Sequence, residues 1–319
     1  MVWVSLVRLL TVSASAGKAL LAVAIVGGVM LPPAAHALRG IVPVAVVGLS
    51  TLMLLRVDVP ATLAQLHRPG RLAAILAVQM VACPVLVWAL VRELPLDTSI
   101  ADAVVIFATG AAIVSAPAYA RLLGLDAEIA LLGALAGTLL VPVTAPLIVW
   151  ALTGVDLAIS MKAFSARLGT VVLMPLLLSL LIRRLAGAPQ LEALGPALDG
   201  LTVWLLVALG FGVMDGVGAQ LLAEPAWVVE ATLVACAATA GLNLATAIVL
   251  LPFGARIAAT AGMLSGFRSM VLYLAVLPAG ADTRVAVFFG LYQIPLYIGP
   301  LVMAPAYRRL LRGRGSDPA

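Results

Sequence analysis

The stretch Ala261-Gly262-Met263-Leu264-Ser265-Gly266-Phe267-Arg268-Ser269-Met270 lies inside an otherwise apolar segment, yet it carries two glycines, two hydroxyls and one permanent cation. An arginine at the centre of a membrane costs about 2.5 to 3.5 kcal/mol on insertion scales, so other features must offset that cost. The glycine pair favours a broken or crossing helix that lines a water-filled cavity, where charge and irregular backbone are tolerated. The alternative is that Arg268 marks a helix end and extends to the membrane interface.

The composition indicates a polytopic membrane protein with one domain over residues 1–319. Hydrophobic residues make up 64% of the 319-residue chain and charged residues only 10%, whereas soluble domains carry about 25% charged residues. The mean hydropathy is +1.18, and the net charge is +5 with a pI near 9.7. The basic residues are scattered among loops, so we expect no nucleic-acid partner. Cys83 and Cys236 lie in apolar runs without companion ligands, which predicts no disulfide and no metal site.

Apolar runs separated by charges or by glycine and proline predict an all-α protein of about ten transmembrane helices. The first five spans are predicted at 18–31, 41–55, 72–90, 100–123 and 129–152. The second five are predicted at 168–182, 198–214, 227–251, 257–277 and 285–307. The fourth and ninth spans are interrupted, and amphipathic spacing at 58–71 and 161–167 predicts short interfacial helices.

The distribution of Lys and Arg predicts that both termini are cytoplasmic. With the N-terminus inside, thirteen of the 19 basic residues fall in inner segments and five in outer segments, with Arg268 set aside. Cytoplasmic loops retain such residues. We therefore expect an integral multi-pass protein of the cell's inner (plasma) membrane.

Two related halves are indicated by recurring turns. Gly124-Leu-Asp126 follows the fourth span and Gly280-Ala-Asp282 follows the ninth, and each is followed by a glycine and a proline-bounded segment. The predicted repeats cover about 18–152 and 168–307. Five spans in each half would place the copies in opposite orientations, as in the inverted repeats of many secondary transporters. Coincidence among glycine- and proline-rich helices is the alternative.

Polar residues at the two interruptions are the candidate site. The fourth span carries Thr109-Gly110-Ala111-Ala112-Ile113-Val114-Ser115-Ala116-Pro117, where the proline removes a backbone hydrogen bond and would free the carbonyls of Ser115 and Ala116. An ordinary proline kink is the alternative. Gln79 and Asn243 add amides in the third and eighth spans, which either a ligand or another helix would satisfy. Asp102 and Glu230 are the acids available to Arg268 as structural partners.

The order of these features resembles the bile acid:sodium symporter family over nearly the whole chain. The resemblance rests on Leu55-Arg56-Val57-Asp58 leading to His67-Arg68-Pro69, on Gln79 and Pro84, on the break at Ser115, on Gly124-Leu-Asp126 and on Gly262-Met263. It implies two inverted five-helix repeats, a panel and a core domain, and a crossing of the broken fourth and ninth helices at the substrate site.

The chain departs from that family at its sodium ligands. The family's ninth-span motif is Glu-x-Gly-Met-Gln-Asn-Ser-Gly, but this chain has Thr260-Ala-Gly-Met-Leu264-Ser265-Gly-Phe. The family's fourth-span Ser-Asn is Ser115-Ala116 here, while Gln79 matches the family's third-span glutamine. A weak cation site would therefore be limited to Gln79, Ser115, Thr260 and Ser265. The guanidinium of Arg268 then takes a sharper role, as a fixed positive charge that attracts an anion.

The leading hypothesis is a secondary transporter of small organic or amphipathic anions that works by alternating access. Its substrate-binding residues would be Arg268, Ser265, Ser115, Asn243 and Gln79. We expect no enzymatic activity and no cofactor; if a cation is co-transported, a proton is favoured over sodium. Membrane lipid is the other expected partner. The alternatives are a non-transporting receptor or assembly protein on the same fold, and an exporter of metalloids or other anions; the sequence leaves substrate, direction and oligomeric state open.

Overall fold

The computed structural model of the protein describes residues 17–56, 69–153, 160–277 and 282–312. Within these ranges the secondary structure is helical, apart from one isolated antiparallel bridge between Ala112 and Arg268. Long apolar side chains face outward on many of these helices, including Leu177, Leu244 and Leu301. An apolar exterior is the expected surface of a protein whose solvent is lipid.

The described helices of the first half follow the predicted spans closely. They are α1 (Gly17–Met30), α2 (Pro32–Arg39), α3 (Val42–Leu54), α4 (Pro69–Ala77), a π-helix (Val78–Ala82), α5 (Cys83–Glu93), α6 (Thr98–Ala108), α7 (Ala116–Leu123) and α8 (Ala127–Thr153).

The second half contains a similar series. It consists of α9 (Met161–Ala193), α10 (Gly195–Val213), α11 (Val217–Ala223), α12 (Pro225–Val249), a 3₁₀ turn (Leu251–Phe253), α13 (Ala255–Gly266), α14 (Met270–Val276), α15 (Thr283–Leu291) and α16 (Gln293–Arg312).

Among the described residues, six helices or continuous helix pairs are long and apolar enough to cross a membrane, and seven if the bent pair α2 and α3 forms one span. These helices confirm the prediction of an all-α membrane protein. The interruptions predicted in the fourth and ninth spans are also present, between α6 and α7 and between α13 and α14. The count of ten spans and the inverted repeat stay predictions.

The two predicted interfacial helices compare differently with the structure. Most of the first, at 58–68, lies outside the described residues. The second, at 161–167, is not a separate helix, because it forms the first turns of α9. Ser160 begins that helix by accepting a hydrogen bond from the Ala163 N–H, so a polar cap starts a helix that continues directly into apolar sequence.

Aspartates begin the helices that follow the two recurring turns. Asp126 accepts hydrogen bonds from the N–H groups of Glu128 and Ile129 at the start of α8, each at 3.0 Å. Asp282 accepts one from Arg284 N at 2.8 Å at the start of α15. A carboxylate at this position satisfies N–H groups that have no partner within the helix.

Candidate functional site

The two helix breaks meet and pair through their backbones. Ile113 N donates to Phe267 O at 3.0 Å, and Ser269 N donates to Ala111 O at 2.8 Å. These bonds form the antiparallel bridge between Ala112 and Arg268. Each break therefore satisfies backbone groups that the other leaves without helical partners, which allows both to lie in the protein interior.

The proline of the first break has a different role from the predicted one. The irregular backbone lies before Pro117, because α7 begins at Ala116 and the proline occupies its first turn. A proline fits that position because its missing N–H would have had no helical partner. The Ser115 carbonyl is not free either, since it accepts hydrogen bonds from Ala118 N and Tyr119 N. The carbonyls presented to the other break belong to Gly110 and Ala111 instead.

Arg268 is fully buried at the crossing, with 0% of its surface exposed. Its Nε donates to Ser265 O at 2.7 Å, its Nη1 to Gly110 O at 2.5 Å and its Nη2 to Gln79 O at 2.9 Å. The three acceptors lie on α13, on the break after α6 and on the π-helix. The alternative in which Arg268 extends to the membrane interface is therefore wrong.

The Gln79 carbonyl is available because two backbone features coincide there. In an α-helix it would accept from Cys83 N, but in this π-helix Cys83 N bonds to Val78 O. The next possible donor is residue 84, which is a proline without an N–H. The guanidinium of Arg268 supplies the missing donor, and single π-helical turns of this kind are frequent at functional sites.

Tyr292 supports the backbone of the second break. Its hydroxyl accepts from Arg268 N at 2.7 Å and donates to Gly266 O at 3.3 Å. Gly266 is the last residue of α13, whose terminal carbonyls need partners outside the helix. The ring packs against Phe107 of α6, with centroids 4.7 Å apart. Tyr292 thus connects α15 and α16 to the crossing.

Gly262 and Gly266 lie within a regular helix and serve close packing. A Cβ on Gly262 would lie 2.5 Å from Asn243 O, and one on Gly266 would lie 2.7 Å from Thr239 O. The spacing of four residues places both on one face of α13, where α12 approaches at backbone contact. The helix does break directly after Gly266, but the glycine pair itself serves close packing on α12, because small residues let membrane helices approach each other.

The other predicted site residues have different surroundings. The amide of Asn243 donates to the hydroxyl of Tyr307 on α16. The Thr260 hydroxyl accepts from Asp126 N at 3.1 Å and donates to Arg256 O at 2.7 Å, so it joins the start of α8 to α13. Ser265 contacts Arg268 through its carbonyl. Ser115 directly precedes α7 and is only partly buried.

No ion pair of the described residues includes Arg268. Those pairs join Asp215 to His36 and Arg39, Asp199 to Arg56, and Asp97 and Glu224 to Arg284. Asp102 and Glu230 were the acids expected as partners of Arg268, but its three hydrogen bonds go to backbone carbonyls. The crossing therefore keeps a positive charge that dipoles solvate.

Two of the residues that supply these carbonyls also carry buried polar side chains. Gln79 and Ser265 are both 0% exposed. Gln79 Nε2, Gln79 Oε1 and Ser265 Oγ have no hydrogen-bond partner within the described protein. Burying such groups unpaired costs roughly 1 to 3 kcal/mol each, so the crossing contains unused hydrogen-bonding capacity.

A largely apolar cavity of about 270 Å³ lies beside the crossing. It is lined by residues of α3, α4, α8, α9 and α14 and by Val114 of the first break. Ser50 and Thr138 are the hydroxyl-bearing residues of its lining, and Thr138 Oγ1 is buried without a partner among the described residues. Val114 of the first break reaches the lining, but Arg268 is not among the lining residues.

Sequence reasoning missed several residues of this site. Tyr292, Gly110 and Thr138 were not selected, because each is an ordinary residue of an apolar span. Pro84 was quoted only within a family resemblance, although a proline that follows Gln79 by five residues removes the N–H that a π-helix would direct to that carbonyl.

The chain matches no family model, and no curated protein matches it significantly.

Proposed function

We propose that the protein is a secondary transporter of small organic or amphipathic anions that works by alternating access. The observation that carries the proposal is the crossing of two broken helices at a buried guanidinium. Discontinuous membrane helices typically form substrate and ion sites near the bilayer midplane, because only there is irregular backbone useful and protected.

Helix contacts support two halves of related architecture. In the predicted repeat, α9 is the counterpart of α1 and α10 is the counterpart of α3. α1 packs on α10, and correspondingly α9 packs on α3. α8 packs on α13, and the counterpart pair α15 and α6 are also in contact. These two contacts each have an equivalent when the predicted halves are exchanged. This symmetry supports ten spans in two inverted repeats, with the crossing at their shared axis.

The charge and the cavity support an amphipathic anion as substrate. Arg268 brings a positive charge that no described acid neutralises, and guanidinium groups recognise carboxylates and related anions well. The adjacent cavity is largely apolar, with Ser50 and Thr138 as the hydroxyl-bearing lining residues, which suits a ligand with a compact hydrocarbon body. Binding would place that body in the cavity and direct its charged group toward the crossing.

The fixed charge also bears on coupling. A sodium site needs several oxygen ligands, but Thr260 Oγ1 is already bonded to Asp126 N and Arg256 O. Leu264 and Ala116 provide no side-chain oxygen. We therefore propose transport with little sodium dependence, driven by protons if a cation gradient contributes.

Uptake of radiolabelled organic anions into proteoliposomes tests this function. We expect saturable uptake that is unchanged when sodium is replaced by choline at constant ionic strength, and that is reduced at least about tenfold in Arg268→Gln. Arg284→Gln is the matched control, since Arg284 is an ion-paired arginine away from the crossing. Saturable binding without flux would favour the receptor alternative, and a steep saturable response to sodium would contradict the proposed coupling.

A further inference from the structure

The surroundings of Arg268 have the composition of a cation site. Three carbonyl oxygens from three separate segments lie within 2.9 Å of the guanidinium nitrogens. None of these contacts is to an anion. Carbonyl oxygens gathered around a positive charge replace its hydration shell in the same way as they do around a free ion in a membrane protein.

Irregular backbone in the segments that provide the oxygens leaves these carbonyls free of helical hydrogen bonds. The Gln79 carbonyl lacks a helical donor because of the π-helix and Pro84, and Gly110 O lies in the break after α6. Gln79 and Ser265 add fully buried side-chain groups that no atom of the described residues bonds. The site thus contains more polar groups than the three hydrogen bonds of the guanidinium use. An arginine that only cross-linked the three segments would not need these additional groups.

We propose that this is a binding site for a guanidinium-type monovalent cation, and that Arg268 is the permanently tethered occupant. Removing the side chain beyond Cβ vacates the volume of one ethylguanidinium ion and leaves the carbonyls of Gly110, Gln79 and Ser265 facing a buried void. A free cation of that class would then bind and restore the crossing. This inference rests on the proposed function and deepens it. In a transporter, such a site would carry its own cation and would require none from solution.

Chemical rescue of Arg268→Ala tests the inference directly. We expect the purified variant to have a lowered Tm, and millimolar ethylguanidinium chloride to raise it saturably by about 5 °C or more, since binding to the folded state alone stabilises it. Choline chloride holds the ionic strength constant. The Tm of the wild type should not respond to ethylguanidinium, because Arg268 already fills the site. The Tm of Arg284→Ala should not respond either, because the arginine lost there was paired with acids and not with carbonyls.

Ethylurea separates charge from hydrogen bonding. It resembles ethylguanidinium in shape and donates N–H bonds, but it is neutral. Rescue by ethylguanidinium and not by ethylurea is the expected result. Equal rescue by both, or by neither, would overturn the proposal.

A second pair of variants covers the case in which Arg268→Ala does not fold. Arg268→Lys retains a cation among the carbonyls, whereas Arg268→Gln retains N–H donors without charge, so the lysine variant should have the higher Tm or the higher yield of folded protein. A glutamine variant at least as stable as the lysine variant, or failure of both to fold, would overturn the proposal. Because these assays measure stability and not flux, a negative result is distinguishable from a failure of the transport proposal.

Discussion

At the scale of single residues, the cost of burying Arg268 is offset by dipoles. Its three hydrogen bonds reach carbonyls that helix breaks and a π-helix leave without N–H donors. Charge-assisted hydrogen bonds of this kind are about twice as strong as neutral ones. The guanidinium and the irregular backbone therefore depend on each other, and either alone would be costly in a membrane interior.

Gly262 should be highly sensitive to the smallest enlargement. In Gly262→Ala the new Cβ would lie 2.5 Å from the backbone oxygen of Asn243, and we expect the free energy of unfolding to fall by about 2 to 3 kcal/mol because the helices must separate. Thermal unfolding in detergent measures the change.

Gly241→Ala is the matched control for that substitution. Gly241 also lies in a helix, but a Cβ there would have nothing within 4 Å. Alanine should leave stability unchanged or raise it by about 0.5 to 1 kcal/mol through its better helix propensity. Equal effects of the two substitutions would show that α12 and α13 are not packed at backbone contact.

Thr138 should show opposite effects on stability and on function. Thr138→Val removes a buried hydroxyl that has no partner, so we expect the free energy of unfolding to rise by about 1 kcal/mol. If the hydroxyl binds substrate in the 270 Å³ cavity, the KM for uptake should rise severalfold in the same variant.

Thr144→Val on the same helix serves as the comparison for Thr138. Its hydroxyl already donates to Leu140 O at 3.2 Å and it is not a lining residue of the cavity. We expect neither stability nor KM to change appreciably. An unchanged KM in Thr138→Val would remove this hydroxyl from the substrate site.

At the scale of elements, a polar cluster joins the starts of three helices. Arg284 at the start of α15 bonds to Glu224 at 2.6 Å, just before α12, and to Asp97 at 3.4 Å, just before α6. Trp227 Nε1 donates to Ser99 Oγ at 3.2 Å. The cluster holds one end of α6 and α15 together, while the other end of α6 leads into the crossing.

Asp97 should make the stability of this cluster depend on pH. Hydrogen bonding from the Ser99 side chain, followed by its backbone N–H, Trp227 and the charge of Arg284, lowers the pKa of Asp97 below its ordinary value of 3.8. A carboxylate with a lowered pKa stabilises the folded state above its unfolded pKa, and this contribution is lost as pH falls through the folded value.

Asp97→Asn tests that dependence. We expect it to lower the Tm by about 2 °C at pH 7, because a half-exposed ion pair contributes little, and the difference from wild type should shrink below pH 4. Glu128→Gln, which changes an exposed acid outside the cluster, should not alter the pH profile. A difference that persists at pH 2.5 would exclude ionisation of Asp97 as the cause.

At the scale of the whole molecule, the ion pairs agree with the predicted topology. Asp97, Glu224 and Arg284 all fall in segments predicted outside, and so do Arg39 and Asp215, which are joined at 3.0 Å. The Arg56 and Asp199 pair joins a segment predicted inside to the inner end of the seventh predicted span. None of these pairs links opposite faces of the predicted ten-span arrangement.

The distribution of Lys and Arg predicts that both termini are cytoplasmic. A reporter fused after Ala319 should be active only in the cytoplasm, and single cysteines introduced at Glu224 and at Asp199 should react with an impermeant thiol reagent from outside and from inside, respectively. A C-terminal reporter active only outside would contradict the cytoplasmic location predicted for this terminus.

The sequence by itself determined the class of the protein and the places where its helices break. The hydropathy of a segment depends on its own residues and not on tertiary contacts, so the apolar runs identify membrane helices. The breaks were located because glycine, proline, hydroxyls and an arginine concentrate at 109–117 and 261–270.

Only the tertiary structure decided what Arg268 binds and what the glycines do. Every residue carries a carbonyl, so a sequence cannot show which carbonyls converge on one charge; that depends on where three distant segments lose their helical donors and meet. The same holds for Gly262, whose role is set by the backbone of α12, nineteen positions earlier in the chain at Asn243.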